Sequence, residues 1–288
     1  MKLRAVLEEI DRTAPFALAA AWDNVGLMVG DPDWEVRRLG IALDPLPGAV
    51  LEAADRGCEA LLTHHPLFFS PIRRLDLSRD PGRAVLAAVE RGVAVLAAHT
   101  NWDSAEGGVS FELARLLGLR DVSVLDPDAR LGAVGNFEEP LTAGEALERV
   151  RRAWGLSWLD GYVSESCSIL RVALCGGSGA DLWPRAKAED ADLYVTADAK
   201  YHVLLDAVRE GMPVAVVGHA EMERASLTEL ARRLAVPGVL ETILIEAGGL
   251  ASPLRLSRTS RAPLSFIKLV YQIFEGIFEL QNEGVSRR

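Results

Sequence analysis

Short apolar runs of strand length alternate with stretches whose apolar positions recur every three or four residues through most of the chain. This pattern predicts strands at 38–43, 60–63, 93–98, 122–125, 132–137, 169–174, 192–195, 214–217 and 239–245. It predicts helices at 48–56, 82–90, 109–117, 144–154, 181–187, 200–210 and 220–234, and an amphipathic helix in MKLRAVLEEIDRTAP at the start. Strands alternating with helices imply an α/β protein with mostly parallel or mixed sheets. The turn cluster DPDAR at 126–130 is a natural junction between two lobes.

The last stretch reads differently. ASPLRLSRTSRAP at 251–263 is a Ser/Arg-rich linker with prolines. Apolar residues then fall at 266, 267, 269, 270, 273, 274, 277, 278 and 280, a helical period with a broad apolar face. A helix this short is marginal alone, so it is expected to dock on its own body, a neighbouring subunit or a partner. Glu275, Glu279 and Glu283 against Lys268 disfavour a membrane surface.

Composition narrows the function classes. The chain has 288 residues, 49% hydrophobic and 25% charged, enough for one large domain or two ordinary ones. Lys plus Arg number 31 and Asp plus Glu 41, a net charge of −10. Such a balance disfavours wrapping duplex nucleic acid, which rests on neutralised phosphates. The three cysteines, Cys58, Cys167 and Cys175, have neither zinc-knuckle nor redox spacing and are expected as thiols in a reducing cytoplasm. The N-terminal helix carries acids and lacks a signal-peptide pattern, and no apolar run approaches the ~20 residues of a membrane span. A soluble, cytoplasmic protein with no membrane partner is expected.

The five histidines carry the chemistry. His64 and His65 follow the run 60–63, His99 follows 93–98, and His219 follows 214–217 and one glycine. Four of the five therefore stand at C-terminal ends of expected parallel strands, the edge where open α/β sheets place ligands. Asp103 lies four residues past His99, and Glu223 four past His219. On a helix that spacing puts both side chains on one face, so Glu223 is the better ligand and Glu221 points elsewhere. Four imidazoles and two carboxylates exceed the needs of one tetrahedral ion and suggest two metals with open positions. Imidazole and carboxylate without thiolate suit zinc, iron, manganese, nickel or cobalt alike. Two such ions acidify a bridging water into a nucleophile near neutral pH.

LLTHHPLFF (61–69), AAHTNWDSAEGGVS (97–110) and GHAEMER (218–224) resemble three signature blocks of the YbgI-type dinuclear metal-centre family, the GTP cyclohydrolase 1 type 2 family. AWDNVGLMVGD (21–31) and TADAKYH (196–202) are similar to two further blocks, and the likeness covers about residues 1–250. The resemblance implies His64, His65, Asp103, His219 and Glu223 as ligands of two divalent ions. Glu223 would bridge, with His65 and Asp103 on one ion and His64 and His219 on the other. His99 would be a catalytic acid/base of the pocket or a weaker ligand. The implied fold has two α/β lobes with the metals in the cleft between them: 1–125 with 215–250, then 126–214, with 251–288 as linker and appended helix. A homohexamer built as a trimer of dimers is also implied. The span between Asp103 and His219 leaves no room for the inserted domain of longer relatives. Ala20 and Ala197 depart from the family's Glu and Gly, and the tail has no counterpart in it.

Other positions keep two readings. Trp22, Asp23 and Asn24 form either a simple turn or a polar lining with Trp22 as wall for a flat substrate. Asp198, Lys200 and His202 either line the cleft or are a cap and solvated charges. LCGGSGAD (174–181) is either a tight turn or a loop whose free N–H groups hold a phosphate. The expected function is a dinuclear metal-dependent hydrolase of a small molecule, a nucleotide among its candidates, acting through a metal-bridged hydroxide. The alternative is a non-catalytic metal-binding ring that docks partners.

Overall fold

In a computed structural model the described residues are 1–247. The linker and helix expected at 251–288 lie outside them. Eleven strands among the described residues form two sheets. The first holds β1 (Gly26–Val29), β2 (Arg38–Ala42), β3 (Ala60–Thr63), β4 (Ala94–Ala97) and β11 (Glu241–Leu244), in the order β1-β4-β3-β2-β11. β11, β2, β3 and β4 run parallel, and β1 pairs antiparallel with β4. The second sheet holds β5 (Arg120–Asp126), β6 (Leu131–Thr142), β7 (Leu159–Tyr162), β8 (Ser168–Leu174), β9 (Leu193–Ala197) and β10 (Val214–Val217). Its order is β5-β6-β8-β9-β10-β7, parallel only from β8 to β10. Both sheets belong to one compact unit, Met1–Gly249.

Helices cover the sheets: α1 (Leu3–Thr13), α2 (Pro47–Asp55), α3 (Gly82–Arg91), α4 (Thr100–Asp103), α5 (Val109–Leu117), α6 (Ala143–Ala153), α7 (Trp183–Ala188), α8 (Tyr201–Arg209), α9 (His219–Arg224) and α10 (Leu227–Leu234). The α/β reading therefore holds, with a larger antiparallel share than alternation alone suggests. Strands β3, β4 and β9 are buried along their whole length, which explains why they read as continuous apolar runs. One core joins Leu39, Leu62 and Leu96 of the first sheet to Val172, Val195 and Val217 of the second through Trp102, Val109 and Leu113.

The single helix expected at 220–234 is two. The Ser226 N–H and hydroxyl both donate to the Glu223 carbonyl, at 3.0 and 2.8 Å. A serine that takes up a local carbonyl competes with the helical ladder, and the chain turns between α9 and α10. Strand β7 escaped the pattern because Leu159–Tyr162 is an exposed edge strand with no apolar alternation.

Candidate metal centre

The parallel strands deliver the site. In register, Ala42 pairs with Thr63 and Thr63 with Ala97, so β2, β3 and β4 end at one level. Asp44, His64, His65 and His99 follow those ends. In the second sheet Ala197 pairs with Val217, which sets Asp198 and His219 side by side just beyond. Each sheet thus contributes the C-terminal edge of its parallel portion. Two short helices complete the set. The four-residue α4 puts Asp103 one turn past His99. Helix α9 begins at His219 and brings Glu223 under it, Nε2 to Oε2 2.9 Å.

All four imidazoles have Nδ1 engaged outward. His64 Nδ1 meets the Ala98 carbonyl at 3.1 Å, His65 Nδ1 meets Asp44 at 2.8 Å, His99 Nδ1 meets Asp23 at 2.9 Å, and His219 Nδ1 meets Asp198 at 2.6 Å. A carbonyl or carboxylate can only accept, so each Nδ1 carries the proton and donates. His64, His65 and His219 then turn Nε2 toward the carboxylates at the centre. His64 Nε2 lies 3.7 Å from Asp103 Oδ1 and 3.6 Å from Glu223 Oε1. His65 Nε2 lies 3.0 Å from Glu223 Oε2, beside His219. Glu221 turns away and accepts from the Ser157 N–H at 3.0 Å.

These distances group the residues differently from the pairing implied by the resemblance. His64 stands with Asp103 and Glu223 Oε1, and His65 with His219 and Glu223 Oε2. The outer hydrogen bonds are the reason. The Ala98 carbonyl, at the end of β4, turns His64 toward α4, whereas Asp44, beyond β2, turns His65 toward α9.

The cluster fits divalent cations. His64 Nε2 and Asp103 Oδ1 are buried polar atoms with no hydrogen-bond partner, and such atoms call for one. His65, His219 and Glu223 form one group of ligand atoms within 4.8 Å of one another, and His64, His65 and His99 form another. Imidazoles whose far nitrogen donates to a carboxylate or carbonyl are the usual form of metal-binding histidine. Protons take the place of a cation in the metal-free chain. Burial opposes charge on His65, but hydrogen bonds to Asp44 and Glu223 outweigh it and lift its pKa to about 10. The Glu223 hydrogen bond, against burial, lifts His219 to about 9. Burial pushes Asp103 up to about 7. Burial also works against the Glu223 carboxylate, yet the three imidazoles around it hold it well below the carboxylate range. His99 goes the other way: burial and the neighbouring His64 lower it despite Asp23.

Asp44 was missed from the sequence, although it follows β2 as the histidines follow β3 and β4, the signal that could have found it. Of the secondary candidates, Asp198 joins the cluster, while Lys200 and His202 are exposed, His202 against the Tyr201 ring. The glycine loop is a close-packing device. Gly177 has φ +66°, and a Cβ there would meet Glu223 Oε1 at 2.3 Å. The Gly176 and Gly179 N–H groups are taken by Ser110 and Thr196, which leaves little of an open phosphate cradle.

Comparison with known proteins agrees with the motifs. A GTP cyclohydrolase 1 type 2 homolog of Lactococcus lactis is 37% identical over 225 residues, 76% of this chain and 86% of that protein. A solved Bacillus cereus protein related to NIF3 has a TM-score of 0.79 at 21% identity, covering 89% of this chain and 99% of that one. Reduced HcgD from Methanocaldococcus jannaschii has a TM-score of 0.74 at 31% identity, covering 85% and 98%. The family model described as Duf34/NIF3 (NGG1p interacting factor 3) matches residues 1–247, a span that contains every side chain of the cluster. The chain therefore belongs to the DUF34/NIF3 family.

Proposed function

We propose that the protein is a dinuclear metal-dependent hydrolase of a small molecule, with nucleotides as first candidates. One observation carries this reading: three inward Nε2 atoms and the Asp103 carboxylate surround the two oxygens of a buried glutamate, while the outer nitrogens are already satisfied. In this reading His64 and Asp103 would hold one ion and His65 and His219 the other, with the Glu223 carboxylate serving both. A pair of divalent ions there would supply an acidified water and positive charge for a developing oxyanion. His99 is the pocket's proton carrier. Burial and the neighbouring His64 favour its neutral ring, Asp23 fixes the Nδ1–H tautomer, and Nε2 is left to take a proton from or return it to the reacting group. The names of relatives support GTP as the first substrate to try.

The test is turnover of GTP and a nucleotide and phosphoester panel by metal-loaded protein, beside Glu223→Ala and His65→Ala. Wild-type turnover lost in both variants supports the reading. Equal, negligible turnover in all three with every metal defeats it and leaves a metal-binding scaffold. Activity retained by the variants defeats the ligand assignment.

We also propose a cytoplasmic homohexamer, a trimer of dimers. Cys58, Cys167 and Cys175 are free thiols, in keeping with a reducing compartment. Among the described residues no helix is long and apolar enough to cross a membrane. A mass in solution below six chains contradicts the assembly.

A further inference from the structure

Two large aromatic side chains stand bare beside the metal cluster. Trp22 is 64% exposed and Phe69 is 54% exposed. Both meet the His99 ring edge-on, with centroids at 6.0 and 5.7 Å and interplanar angles of 73° and 84°. His99 is itself 5.1 Å from the His64 ring and 5.6 Å from the His65 ring. The aromatic pair is therefore continuous with the candidate centre.

The loops that carry these rings are held by polar side chains. Asp23, next to Trp22, accepts from His99 Nδ1 at 2.9 Å and from the Thr100 N–H at 3.0 Å. The Ala20 N–H donates to Thr100 Oγ1 at 2.9 Å. Asn24 reaches across to the other loop, where its Nδ2 donates to the Phe68 carbonyl at 2.7 Å. One hydrogen bond thus ties the Trp22 loop to the Phe69 loop. The backbones are fixed while the faces stay in water. What sets these two rings apart from the other exposed apolar side chains is that both pack on His99, beside the candidate centre. Rings serving only the core would be covered.

We infer that Trp22 and Phe69 form the recognition subsite for a planar heteroaromatic ring, the base-like part of the substrate, and seat its scissile portion at the metal cluster. Aromatic faces suit this ligand because every heteroaromatic ring has a π face to stack. His99 lies between subsite and centre, so a ring held there brings its edge to the proton carrier. The inference rests on the hydrolase reading for the word substrate, but binding can be measured without turnover.

The experiment is calorimetric titration of the metal-loaded full chain with guanosine, GTP and tripolyphosphate. Trp22→Ala, Phe69→Ala and Trp22→Phe are compared, with metal content and mass in solution measured for each. Each alanine variant should weaken guanosine and GTP binding by about 5- to 150-fold, the usual loss per stacked base. Trp22→Phe should restore most of it, tripolyphosphate binding should not change, and metal content should stay at the wild-type value. Guanosine binding that is absent in wild type, or equal in wild type and both alanine variants, overturns the inference. A drop in mass with the alanine variants overturns it too, since the rings would then be covered by a second copy. Guanosine binding that depends on both rings without turnover of any substrate sinks the hydrolase reading alone. Turnover that both alanine variants keep at the wild-type KM sinks the subsite alone.

Discussion

Each imidazole of the cluster is aimed by the group that holds its Nδ1. Asp44 and Asp198 do this for His65 and His219. Their replacement by asparagine should lower metal affinity by about 10- to 100-fold, read by competition with a chelating dye, with stoichiometry unchanged at saturating metal. Unchanged affinity would mean that the rings are held by packing instead. Protons compete for the same atoms. In metal-stripped protein the carboxylates around them lift the pKa values of His65 and His219 to about 10 and about 9, above the ~6.5 of an unfolded chain. Their contribution to stability is full below pH ~6.5 and is lost as pH climbs through those values. Asp103, raised to about 7 from ~3.9, acts in the same direction. Metal-stripped protein should therefore lose stability steadily between pH 6 and 10. A melting temperature that rises over that range would contradict the charge assignment. Burial also pushes the Cys58 thiol to about 11 and Cys175 to about 12. At pH 7.5 iodoacetamide should label these two more than 100-fold more slowly than an unperturbed thiol, as peptide mapping would show.

At the scale of elements, the site depends on where strands stop and how closely loops pass. Gly177 sits where a left-handed backbone and a close approach to Glu223 coincide. Gly177→Ala should cost roughly 1–2 kcal/mol in backbone strain and displace Glu223, lowering metal content well below wild type. Full metal content in that variant would show that the loop yields. Much of this level was legible in the sequence. His64, His65 and His99 follow fully buried strands, whose apolar runs are plain, and Glu223 shares a helix face with His219. Asp44 carried the same signal, following the end of β2, but its bond to His65 rests on the β2–β3 register. The turn between α9 and α10 rests on a local contact, Ser226 bonding the Glu223 carbonyl, that apolar periodicity does not record. The exposed edge β7 lacks any pattern to read. The resemblance implied His65 with Asp103 and His64 with His219, whereas the side-chain distances set His64 beside Asp103 and His65 beside His219, because sequence says nothing of which outer acceptor rotates each ring.

At the scale of the whole molecule, the candidate centre joins two sheets: His64, His65 and Asp103 come from the first, His219 and Glu223 from beyond the second. Cations bound there cross-link segments far apart in the chain. Metal at about 100 times its Kd should add about 2.7 kcal/mol per site and raise the melting temperature by roughly 5–10 °C for each ion bound, an effect absent in Glu223→Ala. The most direct measurement is anomalous diffraction at metal absorption edges from crystals grown without chelator. A dinuclear centre gives two separate peaks per chain, one beside His64 and Asp103 and one beside His65 and His219, with Glu223 between them. A single peak, none, or peaks that Glu223 does not touch would contradict it.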